Sequence, residues 1–320
     1  MPQSRREFVR RGAVTTVGAA ALLGADRAPA ADRPIPRRTL GRTGAKVSII
    51  GFGAAPLGHS FQPQEVFDRV VGRAIDAGVN YIDTATTYDV SQERLGPIIK
   101  HHRDKLFLVT KSRGRDKDGV LKTVEESLRL LQTDHVDVVH IHNVADYDVD
   151  RLTDENGPMQ GLLEARKRGW LRFIGATAHM RVERMAKVLD TGLVDVMMVT
   201  LNFVDQHTYG YETKVLPVAR KHRTGIVAMK VLGGAPNFNY RQPRESPLPP
   251  ELIPNAIRYP LSLDGVACAV IGFSWAEQVD QAAGVARSFK RLAPAEMAAL
   301  SDRGREIAAT WKEHLGPVAG

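Results

Sequence analysis

The stretch Val79 to Tyr88, VNYIDTATTY, decides how the chain is read. Val79, Tyr81 and Ile82 suit a buried strand, and the run turns polar at Asp83, Thr84, Thr86, Thr87 and Tyr88. Two readings follow. Asp83 or Thr84 can be an ordinary turn former or helix cap, with Tyr88 as packing. In a parallel barrel, by contrast, a carboxylate at a strand's end and a phenol five residues later stand on the catalytic face.

Outward from this stretch, strands and helical patterns alternate with short connections. The expected strands are Ile49 to Phe52, Tyr81 to Asp83, Leu106 to Lys111, Val136 to Ile141, Arg172 to Thr177, Val196 to Leu201, Gly225 to Met229 and Val266 to Ile271. Runs such as VDVVHI and GIVAM are almost wholly apolar, as parallel strands covered on both faces require. Eight such strands, each followed by a helix, predict an α/β fold of the (β/α)₈ TIM-barrel type. RRTLGRTGAKVSIIGFG reads as a leading hairpin that plugs the barrel bottom, and Pro294 to Thr310 as an extra C-terminal helix. An open doubly wound sheet is the competing fold. Its glycine fingerprint is missing, because Gly51 to Gly58 lacks the third glycine and meets Pro56 before any helix. Longer irregular segments, Val144 to Pro158, Phe203 to Lys214 and Gly233 to Pro250, fall after strands four, six and seven, where a barrel builds its pocket.

Polar residues recur at the strand exits: Asp83 and Tyr88 after strand two, Lys111 in LFLVTKS, His142 in VVHIHN. Each alone is an ordinary solvated or rim residue. Together they suit proton transfer to a carbonyl oxygen. A phenol of pKa about 10 is a weak acid, and a buried ammonium beside it favours the phenolate. Lys111 fits that role, Asp83 supplies the counter-charge, and His142 can hydrogen-bond the same oxygen. None of these side chains delivers hydride, so the chemistry requires a nicotinamide cofactor.

With these motifs in place, the chain resembles the aldo-keto reductases, from LGRTGAKVSIIGFG through YIDTATTY, LVTKS, VVHIHN, FIGAT and AVIGFS. The resemblance implies a nicotinamide-dependent carbonyl reductase, with Asp83, Tyr88, Lys111 and His142 as the tetrad and a carbonyl or alcohol substrate. It implies NADP, or alternatively NAD, held by Thr177, Asn202, Met229, Gly272, Phe273, Ser274 and Gln278. The pattern departs from the family at Ala178, where Asn is usual, at Met198 for Gln, at Met229 for a stacking aromatic, at Gln278 for a phosphate-clamping Arg, and at Ala282 for Asn. Lys230 and Arg287 are nearby candidates for phosphate contact, and the ordinary reading of each is a solvated side chain. Phe203, Tyr209, Tyr211, Phe238 and Tyr240 are aromatic loop residues that suit either a pocket wall or packing.

Two rival readings keep the barrel. His140 and His142 form an HxH pair able to chelate a metal in a hydrolase, but Thr177, Met198 and Met229 supply no further ligands. A dinucleotide-binding barrel without catalysis, acting as a redox sensor or partner-binding protein, is the other. Such a binder has no need of an ammonium and carboxylate beside a phenol.

The first thirty residues read apart from the fold, which runs from residue 31 to 320. Ser4-Arg5-Arg6-Glu7-Phe8-Val9, a weakly apolar run from Ala13 to Gly24, and Ala28-Pro29-Ala30 match a twin-arginine export signal, implying the export machinery as a partner and a periplasmic destination. The apolar run is too short and too rich in Ala and Gly for a stable membrane anchor. Of the net charge of +8, five leader arginines against Glu7 and Asp26 account for +3. The remainder forms no basic and aromatic stripe of the kind nucleic acid needs. The one cysteine, Cys268, lies in an apolar strand and has no partner for an intramolecular disulfide.

Overall fold

The computed structural model describes residues 33–235 and 246–319. The leader readings at Arg5, Arg6 and Ala28-Pro29-Ala30, and the loop aromatics Phe238 and Tyr240, lie outside the described residues.

A hairpin of β1 (Arg37–Thr39) and β2 (Lys46–Ser48), joined by a 3₁₀ turn over Gly41–Thr43, opens the fold. Between β2 and the first barrel strand the extended run breaks at Ile49. There the Ser48 hydroxyl donates to the Ile50 carbonyl at 2.7 Å, while the Ser48 N–H goes to Asn80 Oδ1 at 2.7 Å. These side-chain bonds replace ladder bonds and turn the chain from hairpin into barrel wall.

Eight parallel strands close the barrel: β3 (Ile50–Gly53), β4 (Tyr81–Asp83), β5 (Phe107–Ser112), β6 (Val136–Ile141), β7 (Leu171–Ala178), β8 (Val196–Thr200), β9 (Gly225–Met229) and β10 (Val266–Gly272), with β10 pairing both β9 and β3. Around them run α1 (Gln64–Asp76), α2 (Ser91–His102), α3 (Lys117–Leu130), α4 (Pro158–Lys167), α5 (Val182–Asp190), α6 (Tyr211–Lys214), α7 (Leu216–Lys221), α8 (Ile253–Ser262) and α9 (Ala276–Arg287). The (β/α)₈ expectation holds, and α6 lies within the segment Phe203 to Lys214 that the sequence predicts as irregular. A last helix, α10 (Pro294–Trp311), follows the barrel.

Alternation along the strands divides two cores. Ile82, Leu108, Val139, Ile174, Met197 and Ala228 pack outward with the helices. Tyr81, Phe107, Val109, Val138, Met198, Val227 and Cys268 fill the interior, joined by Leu40 and Val47 from the hairpin. The hairpin is therefore the barrel's floor. Gly41, at φ +48°, sits where a Cβ would come 2.3 Å from the Gly225 nitrogen, so only glycine lets the turn press onto the start of β9. Arg42 completes the join, its Nε 2.9 Å from Asp195 Oδ1. Residues below the strands thus serve closure, leaving the opposite rim for chemistry.

Leu40 is fully buried between floor and barrel. Leu40→Ala is expected to cost about 2–5 kcal/mol through lost burial and a residual cavity. Urea unfolding should show it as a lower midpoint with unchanged slope.

Candidate active site

At the C-terminal rim, β4 and β5 run side by side with Asp83 opposite Val109, two residues before Lys111. Both polar side chains enter the barrel mouth, where Lys111 is 2% exposed and Asp83 3%. Lys111 Nζ donates to Asp83 Oδ1 and Oδ2 at 2.8 and 2.7 Å, to the Thr84 carbonyl at 2.8 Å, and to Tyr88 OH at 3.2 Å. Its hydrogens are thus shared among four acceptors, which is what a buried ammonium needs. Burial raises the Asp83 carboxyl above the ordinary range, and the Lys111 charge and hydrogen bond pull it back.

Tyr88 reaches this pair from the turn before α2. Its backbone N–H bonds to the Ala85 carbonyl, and Asp89, at φ +47°, follows with its side chain accepting the Ser60 N–H at 2.8 Å. Because the phenolic oxygen accepts from Lys111, the ammonium stabilises negative charge there. The Lys111 nitrogen also lies 4.7 Å from the ring centre. His142, two residues past His140 on the same face, meets the Tyr88 ring edge-on at 6.0 Å between centroids. The Thr87 hydroxyl lies 3.4 Å from His142 Nδ1. The four residues expected to act together are therefore brought together at one rim.

The imidazoles here are held neutral. Burial first, then the Lys111 charge, push His140 and His142 well below the ordinary histidine range, and burial followed by Lys230 does the same to His179. His140 is completely buried one layer down, with its ring against Gly175, where a Cβ would meet Nδ1 at 2.2 Å. Among the described residues no cluster of three or more His, Cys, Asp or Glu is placed to hold a metal.

Beside the four lies a cleft of about 340 Å³. Its lining includes Asp83, Tyr88, Met198, Met229 and Lys230, with Gly272, Phe273, Ser274 and Gln278 from the end of β10 into the first turn of α9. A wider groove of about 700 Å³ between α1 and α2 faces outward and contains none of these groups.

Several residues expected at the cofactor occupy other places. Asn202 is fully buried and outside the cleft lining, its amide spent on Asp205, the Lys230 carbonyl and the backbone of Val204 and Asp205. Thr177 also lies outside the lining, its hydroxyl 3.4 Å from both the Ile141 carbonyl and the Asn143 nitrogen. The residue here that lines the cleft is His179, directly after β7, which sequence reading missed. Alternation was the available signal, since residues 175, 177 and 179 share a face and 178 does not. Gln278 Oε1 accepts the Ser274 N–H at 2.8 Å. Arg287 donates to the Ala77 carbonyl at 3.2 Å, whereas Lys230 lines the cleft. Phe203, Tyr209 and Tyr211 are core residues, with the Tyr209 and Tyr211 hydroxyls bonded to the Gly316 and Met180 carbonyls.

Comparison with known proteins agrees with this geometry. Residues 49–252 match the model of the Aldo/keto reductase family. The chain belongs to the aldo/keto reductase family. This reductase is 30% identical over 280 residues to L-galactose dehydrogenase of Arabidopsis thaliana, covering 76% of this chain and 86% of that one. It is 30% identical over 191 residues to methylglyoxal reductase DkgB of Escherichia coli O157:H7, covering 58% and 68%. A solved aldo-keto reductase from Bacillus halodurans superposes with a TM-score of 0.69 over 88% of this chain and all of that one, at 22% identity, a likeness of fold. The chain is a carbonyl-reducing oxidoreductase.

Burial of His140 and His179 as neutral rings has a measurable consequence. The unfolded chain takes up their protons as pH falls through about 6.5 and the folded chain does not. Stability present above that pH is therefore lost below it, with a slope of about 1.4 kcal/mol per pH unit for each histidine. Urea midpoints measured from pH 7.5 down to 5.5 are expected to fall, and to fall less steeply in His179→Asn.

Proposed function

We propose that this reductase interconverts a small aldehyde or ketone and its alcohol with NADP or NAD, Tyr88 giving and taking the proton. The observation that carries the reading is the Lys111 ammonium 3.2 Å from the Tyr88 hydroxyl and within 2.8 Å of both Asp83 oxygens. The lining of the cleft fits a dinucleotide: Met198 and Met229 offer polarizable thioethers to a ring face at the Tyr88 end, and backbone N–H groups at the start of α9 favour an anion at the other. Bound there, a nicotinamide supplies the hydride that no side chain of the site can deliver.

The chain's own groups divide the remaining labour. In reduction the Tyr88 hydroxyl donates its proton to the carbonyl oxygen, and the resulting phenolate is stabilised by Lys111. In oxidation the same phenolate removes the alcohol proton. His142, neutral for the reasons above, donates a hydrogen bond to that oxygen and orients it; a ring held so far below its ordinary pKa is no store of protons at neutral pH. Asp83 keeps Lys111 charged. The substrates for which these relatives are named, L-galactose and methylglyoxal, support a small oxygen-rich carbonyl compound.

We further propose export by the twin-arginine route, on the strength of Arg5, Arg6 and the apolar run that follows. Arg5→Lys with Arg6→Lys is expected to leave the product in the cytoplasmic fraction. Tyr88→Phe is expected to lower turnover on the order of 10²- to 10⁴-fold, followed by nicotinamide absorbance, with dinucleotide affinity near that of the parent. Turnover retained in that variant removes Tyr88 from the mechanism.

A further inference from the structure

Thr87 stands between two groups of the proposed reaction, with Tyr88 next to it in the chain and His142 across the rim, and so far it has no task of its own. The turn that carries it is held on both sides. The Thr84 N–H bonds to the Val109 carbonyl at 2.9 Å, the Thr86 hydroxyl to the Lys111 carbonyl at 3.4 Å, and the Tyr88 N–H to the Ala85 carbonyl at 3.1 Å. From this turn Thr87 Oγ1 reaches within 3.4 Å of His142 Nδ1, a long hydrogen bond of a kind common in catalytic sites before substrate binds. His142 is fixed from its own strand as well. Its backbone N–H bonds to the Ser112 carbonyl at 2.8 Å, and its ring stands at 87° to the Tyr88 ring.

A neutral imidazole carries one N–H, on Nδ1 or on Nε2, and its other nitrogen can only accept. Burial and the charges of Lys111, Arg113 and Lys230 keep the His142 ring neutral. The tautomer then decides what the ring can do. With its proton on Nε2 that nitrogen donates to a carbonyl oxygen; with the proton on Nδ1, Nε2 offers the same oxygen only a lone pair. Which nitrogen is protonated is set by the hydrogen bond that the other one makes. Among the described residues the one hydrogen bond to either ring nitrogen is that of Thr87.

A threonine hydroxyl has a single hydrogen to give, and the side chain is exposed, so water can meet its oxygen while the hydrogen turns inward. We infer that the Thr87 hydroxyl donates to His142 Nδ1 and thereby holds the ring proton on Nε2, toward the reacting oxygen. Thr87 is thus a positioning residue that acts through His142. Two consecutive residues of one turn then set both donors for one oxygen: Tyr88 supplies the proton, and Thr87 fixes the tautomer of the group that orients its acceptor. The inference rests on the mechanism proposed above and deepens it.

The test reads the tautomer directly. Long-range proton–nitrogen correlation spectra of protein with isotopically labelled histidine separate a pyrrole-like from a pyridine-like ring nitrogen, and the signals lost in His142→Asn assign the ring. In the parent the pyridine-like nitrogen is expected at Nδ1. Thr87→Val, which keeps the shape and removes the hydroxyl, is expected to move the proton toward Nδ1, and Thr87→Ser to restore it to Nε2. With methylglyoxal as the carbonyl probe and NADH or NADPH as the hydride source, Thr87→Val is expected to lower kcat on the order of tenfold, with dinucleotide affinity near that of the parent, and Thr87→Ser to recover most of the loss. Melting temperatures of both variants should match the parent, because the side chain is exposed. A parent ring protonated on Nδ1 overturns the inference. So does a Thr87→Val ring that stays protonated on Nε2; a loss of turnover beside it would assign Thr87 to direct contact with substrate. A tautomer that moves as expected while kcat holds leaves the contact standing and removes His142 as donor to the reacting oxygen, so that the proposed mechanism falls instead. The spectra need no substrate, and they decide the contact even for a parent inactive on methylglyoxal.

Discussion

An ammonium buried against a carboxylate is costly to desolvate, and the rim of this barrel is built to meet that cost. Lys111 finds Asp83, the Thr84 carbonyl and the Tyr88 hydroxyl within hydrogen-bonding reach. Such a pair gives little net stability, yet removing either partner leaves a naked charge in a low-dielectric site. Its use lies in direction. With Asp83 and Thr84 fixing one side of the ammonium, its remaining interaction is aimed at the phenol.

The same charge acts on the imidazoles. His140 is fully buried and His142 half-buried near Lys111, and His179 is buried near Lys230, so all three lie well below their usual range. A site rich in histidine therefore works with neutral rings at neutral pH. In the proposed mechanism that leaves Tyr88 as the group whose proton is matched to a nearby cation, and gives His142 the work of orientation. Left-handed residues follow three of these positions: Asp89 after Tyr88, Asn143 after His142 and Lys230 after Met229. The first two are residue types that tolerate the conformation; the third needs the Asn202 bond to hold it.

Much of this was legible in the chain. Short, nearly continuous apolar runs at regular spacing marked all eight barrel strands, because a strand covered on both faces must be apolar along its whole length. Asp83, Lys111 and His142 could be assigned to one rim because parallel strands share a direction, and Tyr88 followed from its distance past a strand's end. Less was legible where function depends on which way a side chain turns. Thr177 and His179 share a face of β7, but only His179 lines the cleft. Phe203, Tyr209 and Tyr211 offered aromatic surface and went into the core, where the C-terminal tail supplies their hydroxyl partners at Gly316 and, from the β7 loop, at Met180.

The sequence by itself determined the barrel, the rim on which the four polar side chains stand, and the family those motifs signify, since each rests on periodicity or on residues close in the chain. Tertiary structure decided the employment of Asn202 and Lys230. Asn202 lies 28 residues from the carbonyl it holds and Asp205 lies 109 from His314, whose ring it meets. Hydrogen bonds across such separations leave no period in a sequence, so only the folded chain could bring these partners together.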